Sequence, residues 1–254
     1  MKSLKLAKFH IRMMLPSTMI YYMFFIMAIT FLAASNINSG QNFSSSGLEF
    51  STVIFLFIMG LNAFKENFNF AQANNLSRKT FWGGLVLAIL PIAFLMSTID
   101  LILNRIYNVF VPSPTNYDMF YSSYRDTGVF DWNTMQQVWE QSNSFLTLFS
   151  TVLWQFAAYV FFTLLGIVII MIYFRSNNLL KIIVSLTPVA FVILLRSFIG
   201  FLPATWLRSM GTFIPAAFGW ESRNPYMAVI TFLLLSFFLS GCFYLLLRKA
   251  EARE

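Results

Sequence analysis

Charge is scarce in this chain. Lys, Arg, Asp and Glu make up 11% of its 254 residues, while 58% are hydrophobic. A soluble domain carries about a quarter charged residues, so this one cannot solvate a globular surface and calls for a bilayer as its solvent. Cysteine is nearly absent: Cys242 stands alone in an apolar run, which excludes an intrachain disulfide. Histidine is as rare. His10 is the single one, which excludes a histidine-built metal site, the histidine pair of an intramembrane metalloprotease and the base of a serine triad. No span centre offers a carboxylate pair, because Glu49 and Asp100 fall at span ends, and no G-x-x-x-x-G-K-[ST] phosphate loop occurs. An enzyme acting unaided is therefore not expected. Neither is a proton or sodium site in the spans, so any transport would draw its energy from a partner.

Long uncharged stretches take the place of charge. About 20 apolar residues cross a hydrocarbon core as a helix, and six segments qualify as spans. They are Pro16 to Ala34, Phe50 to Phe64, Thr80 to Ile99, a span within Gln141 to Phe174, Ile182 to Leu195, and Pro225 to Leu247. The fifth is short and stops at Arg196. After it comes "SFIGFLPATWLRSMGTFIPAAFGW", in which Gly200, Pro203, Gly211 and Pro215 oppose one continuous helix. Irregular backbone at membrane depth needs protein or a wet cavity around it. Residues 197–224 thus read as a broken, re-entrant outer segment, with Arg196, Gly200, Pro203 and Gly211 as candidate gate residues. The expected fold is all-α, a single polytopic transmembrane domain over residues 1–254 with six transmembrane helices.

Basic residues gather at Lys2 to Arg12, Lys65 to Lys79, Arg175 to Lys181 and Arg248 to Arg253. The remaining connections hold Glu49, Asp100, Asp118, Asp126, Asp131, Glu140 and Glu221 among fewer arginines. The positive-inside bias places the basic segments, and with them both termini, in the cytoplasm of a multi-pass cell-membrane protein. The net charge of +7 is then a topology signal, and nucleic acid is not an expected partner. Residues 1–14, "MKSLKLAKFHIRMM", set Lys5, Lys8 and Arg12 on one helical face and Leu6, Phe9 and Met13 on another. That is the pattern of an amphipathic helix lying in the inner interface, with His10 interfacial. The segment runs into a stretch of spanning length without a small-residue cleavage site, so it reads as retained. On the far side, residues 105–141 form a long acidic, aromatic loop. Within it "DWNTMQQVWEQ" suggests a helix capped by Asp131, with Trp132, Met135 and Trp139 on one side.

The loop over residues 65–79, "KENFNFAQANNLSRK", is polar yet carries Phe68, Phe70 and Leu76, more than a charge anchor needs. It leads through Asn75, Ser77, Arg78 and Lys79 to Phe81, Trp82 and Gly83 at the start of the third span. An amphipathic inner helix, two spans and a loop ending in S-R-K, an aromatic and a glycine together resemble an ABC-2 type transporter permease, the membrane subunit of a bacterial ABC exporter. The resemblance extends to the broken segment before the last span and to the basic end "LLLRKAEARE". It departs at Asn75-Leu76, where glycine and isoleucine are commoner.

The resemblance implies that Lys65, Glu66, Phe68, Phe70, Asn75, Leu76, Ser77, Arg78 and Lys79 form a coupling helix in a groove of a separate cytoplasmic ATP-binding subunit. ATP and magnesium would stay on that partner, and a second permease copy would complete the transporter. This chain would hold no catalytic residue, cofactor or metal. Spans one, two and five would line the path, which makes Tyr21, Phe25, Phe55, Phe57 and Phe191 candidates. Phe55 and Phe57, two apart on a helix, face different sides, so at most one qualifies. The 31 phenylalanines are also similar to the permeases that export phenol-soluble modulins, amphipathic peptide toxins. The function expected is export of an amphipathic or apolar substrate. The alternative is a non-transporting membrane subunit, a sensor or immunity protein that sequesters peptides.

Overall fold

A computed structural model describes residues 2–39, 45–128, 130–131, 136–137, 139–177, 181–182 and 204–248. The fold is all-α apart from one small ladder, and its first element already departs from expectation. Helix α1 (Lys2–Ser39) joins the interfacial segment and the first span without a break and carries Pro16 inside it. At about 1.5 Å per residue, its 38 residues exceed a hydrocarbon core about 30 Å thick. One end of α1 must therefore leave the core, or the helix must tilt.

Helix α2 (Phe50–Asn62) leads directly into α3 (Lys65–Ala73), and α4 (Arg78–Tyr107) follows after a tight turn. Two short helices, α5 (Asn116–Tyr121) and α6 (Tyr124–Thr127), precede α7 (Phe145–Arg175), and then come α8 (Ala204–Ala217) and α9 (Pro225–Arg248). Among the described residues, α1, α4, α7 and α9 are long and apolar enough to cross a membrane, which points to a multi-pass membrane protein. With 13 residues, α2 is only about 20 Å long.

Two local expectations fail, a helix capped by Asp131 and a break at Gly211 and Pro215. Phe130–Asp131 pairs antiparallel with Gln136–Gln137 as β1 and β2, where a helix capped by Asp131 was expected. The physical reason lies at Trp139. Its ring is 2% exposed, and its Nε1 donates to Ser122 Oγ at 3.3 Å. An indole drawn into the protein is incompatible with a surface helix resting on lipid; Trp132 and Met135 lie outside the described residues. In the second case, α8 runs straight through Gly211 and Pro215. Pro215 sits in the last turn, where a missing N–H removes a single bond, and the helix ends instead at Gly219, whose φ of 64° favours glycine. Phe191, Arg196, Gly200, Pro203 and nearly all of the fifth span lie outside the described residues.

The long helices pack as α1 on α4, α4 on α7, α2 on α7 and α7 on α9. Two glycines set the α2–α7 spacing. A Cβ on Gly60 would lie 2.3 Å from the Thr163 carbonyl oxygen, and one on Gly166 2.3 Å from that of Phe57. Small residues at such a crossing let backbones approach where lipid supplies no hydrophobic drive. The N-terminus of α1, helix α3, the start of α4 and the ends of α7 and α9 share one end of the bundle, the basic end. Segments 45–49, 107–125, 139–145 and 218–225 share the other, the loop end.

Candidate functional site

At the basic end, α3 is fixed from within. Phe68 is fully buried and stands 5.1 Å from Phe64 and 5.7 Å from Phe81, ring centre to ring centre. Phe174 and Phe243 close the same aromatic cluster. Phe68 was expected on the partner-facing side. As the i+4 neighbour of Phe64, it instead shares the face turned into the core. Phe70 points outward, 44% exposed, and stacks on Phe9 of α1 at 4.8 Å. Lys65 and Glu66 are exposed as well.

The "NNLSRK" turn has a local structural explanation for almost every residue. Asn75 adopts a φ of 53°. Its N–H donates to Gln72 O at 2.9 Å and that of Leu76 to Ala71 O at 2.9 Å, the paired bonds of a Schellman C-cap. Asparagine and glycine are the residues suited to that left-handed position, which explains the departure from the commoner glycine. Leu76 packs partly buried against the core. Ser77 caps α4, its side chain accepting from Thr80 N at 3.2 Å. The Arg78 guanidinium donates to the Arg248 carbonyl at the C-terminus of α9, where a cation also complements the helix dipole. Lys79 is exposed. His10 proves to be buried, not interfacial. It lies edge-on to Phe81 at 5.8 Å, and neither ring nitrogen has a hydrogen-bond partner of ordinary geometry.

Of the path candidates, three come together. Tyr21 stacks on Phe55 at 4.4 Å and on Phe25 at 5.7 Å, and its hydroxyl lies 2.7 Å from Thr52 Oγ1. Phe57 presents its backbone to Gly166 on α7 and joins no part of this strip. Gly211 is exposed with open space at its Cβ position.

Sequence reasoning missed a polar cluster at the loop end. Glu49, Asp100 and Asp118 come from three different elements, yet each is 1% exposed. Tyr22 Oη donates to Asp100 Oδ1 at 2.8 Å, and Tyr159 Oη donates to Oδ2. Glu49 Oε2 accepts from the Asn116 N–H at 3.3 Å, and burial pushes the Glu49 carboxyl up to about 8. Asp118 completes a capping box with Thr115. The available signal was an isolated acid at the edge of each apolar run, with tyrosines in the facing spans.

Above this cluster, α5 and α6 are tied to the turn before α9. Tyr121 Oη donates to Phe218 O at 2.8 Å, Arg223 pairs with Asp126, and Phe120 stacks on Trp220 at 5.4 Å. Comparison with family models, curated proteins and solved structures finds no match for the chain.

Proposed function

We propose that this chain is the permease subunit of an ATP-driven exporter of the ABC-2 type, powered by a separate cytoplasmic ATP-binding subunit that docks at the basic end. The observation that carries the reading is α3. A short helix, held by the buried Phe68 and a capped C-terminus, stands between two apolar helices and keeps Phe70, Lys65 and Glu66 outward. Phe9 braces it from α1. A connection that only anchors topology needs none of these devices; a lever that passes force between a motor and the spans needs rigidity at both its joints.

Six crossings belong to this reading, the four long helices being joined by α2 and by the expected fifth span, nearly all of which lies outside the described residues. Helix α2 supplies a further, short crossing between α1 and α4. In this reading the basic end faces the cytoplasm, and Tyr21, Phe25 and Phe55 flank the path of an amphipathic or apolar substrate, with phenol-soluble modulins as one peptide class. The apolar face of α1, with Met19, Met23, Phe24 and Met27 exposed, suits lipid or a second permease copy.

Purifying the tagged chain from its native membrane in mild detergent tests the reading. A permease brings down a nucleotide-hydrolysing chain in fixed stoichiometry. A sequestering or sensing protein brings down none, and that result would refute the proposal.

A further inference from the structure

Three arginines at the loop end are already engaged. Arg223 pairs with Asp126, the Arg125 guanidinium donates to Trp220 O, and Arg105 Nη2 donates to the Ser142 carbonyl at 3.3 Å. Asp118 is bonded on one oxygen only. Thr115 N at 3.1 Å, Thr115 Oγ1 at 2.8 Å and Gln141 Nε2 at 3.4 Å all donate to its Oδ2, which leaves Oδ1 unengaged. Glu140 is exposed, and among the described residues its carboxylate makes no hydrogen bond or ion pair.

These two acids line one cavity of about 260 Å³, together with Tyr117, Tyr121, Trp139 and Ser142. Its wall is a connected set. Trp139 Nε1 donates to Ser122 Oγ at 3.3 Å, Ser122 Oγ donates to the Asp118 carbonyl at 2.7 Å, and the Tyr117 and Tyr121 rings stand 5.5 Å apart. Tyr121 Oη donates to Phe218 O at 2.8 Å. The polar edges of Trp139 and Tyr121 are thus spent on the protein, and what these residues offer the cavity is ring surface. No basic side chain is among the lining residues.

We propose that this cavity binds a primary alkylammonium group on a flexible apolar stem, the chemistry of a peptide lysine. The ammonium donates to Asp118 Oδ1 and to the Glu140 carboxylate, while the stem lies along the tyrosine rings, whose faces also attract a cation. Acceptors beside the rings favour a nitrogen that carries N–H groups over a quaternary one, which has nothing to donate. Sites for drug-sized ligands measure about 300–1,000 Å³, so the smaller space here suits a single side chain. A metal ion would leave every ring unused. A phospholipid amine would bring its phosphate against the same two carboxylates. The site stands without the export reading, because nothing in it needs a nucleotide or a partner subunit.

Calorimetric titration of the full-length protein in an uncharged detergent, at fixed pH and ionic strength, tests the site. The probes are N-acetyl-lysine methylamide, its norleucine and trimethyllysine counterparts, and glycerophosphoethanolamine as the lipid headgroup. The lysine probe should bind saturably, about tenfold more tightly than the neutral norleucine probe and more tightly than the other two. Glu140→Gln, at an exposed side chain that bonds nothing else, should weaken the lysine probe about threefold, and Asp118→Asn should weaken it further. Glu221→Gln removes an exposed acid outside the cavity and should leave binding unchanged. No saturable heat with the lysine probe would overturn the proposal, as would equal affinity for any of the other probes or an affinity untouched by Glu140→Gln. Should Asp118→Asn not fold, the probe series and Glu140→Gln decide between these outcomes.

Discussion

Replacing single glycines with alanine should give opposite signs in different helices. A Cβ on Gly60 would fall 2.3 Å from Thr163 O, and one on Gly166 would fall 2.3 Å from Phe57 O and 3.0 Å from Leu61 N. Ordinary contact begins at 3.4 Å, so α2 and α7 must separate by about an ångström, and overpacking of this kind costs about 1–3 kcal/mol. The obstructing atoms are backbone, which no rotamer change can move aside. At Gly241, in the middle of α9, nothing lies within 4 Å; there alanine should stabilise by about 0.5–1 kcal/mol through backbone entropy. The two interfacial glycines oppose the same crossing, so the double variant should cost less than the sum of the singles. Thermal unfolding of the purified protein in detergent reads all four variants. Gly60→Ala raising the melting temperature, as Gly241→Ala should, would refute the α2–α7 packing described above.

Neighbouring phenylalanines should separate fold from function. Phe68→Ala empties a fully enclosed site and should cost about 3–5 kcal/mol. Phe70→Ala removes one stacked pair worth about 0.5–1.5 kcal/mol, and should leave the protein folded while releasing the ATP-binding subunit during purification. Asn75→Gly should be silent in thermal unfolding, whereas Asn75→Val forces a branched residue into left-handed backbone and should cost about 1–2 kcal/mol. In intact cells, cysteines placed at Ser46 and Asn133 should react with an impermeant thiol reagent, and one at Asn74 should not; labelling at Asn74 would reverse the orientation.

Apolar length carried much of the fold. The expected third, fourth and sixth spans fall within α4, α7 and α9, because a run without charge has few alternatives to a helix where backbone groups must bond internally. Local chemistry accounts for two further positions that the sequence analysis left unassigned: Ser77 is a typical N-cap residue, and asparagine suits the left-handed position after the C-cap that Asn75 occupies. What remained hidden depends on tertiary partners. Pro16 marks a boundary in the sequence, yet α1 continues through it because a helix with lipid and α4 around it tolerates the lost bond. Phe68 and Phe70 are alike in the sequence, and only the position of Phe64 and Phe81 decides which is core. Glu49 and Asp100 each looked like a span-end marker; the bonds of Ser45, Gly47 and Glu49 to Pro112, Pro114 and Asn116 draw Glu49 into the bundle end where α4 carries Asp100, which no local pattern encodes.

The central claim is that α3 seats an ATP-hydrolysing subunit. A photoreactive phenylalanine analogue at position 70, irradiated in native membranes, probes it directly, with the same analogue at position 145 as control; Phe145 is 83% exposed at the loop end. The account predicts that only the position-70 protein forms a covalent adduct, and that the captured chain binds and hydrolyses ATP. An adduct lacking any nucleotide-hydrolysing chain at position 70, or the same adduct at position 145, would contradict it.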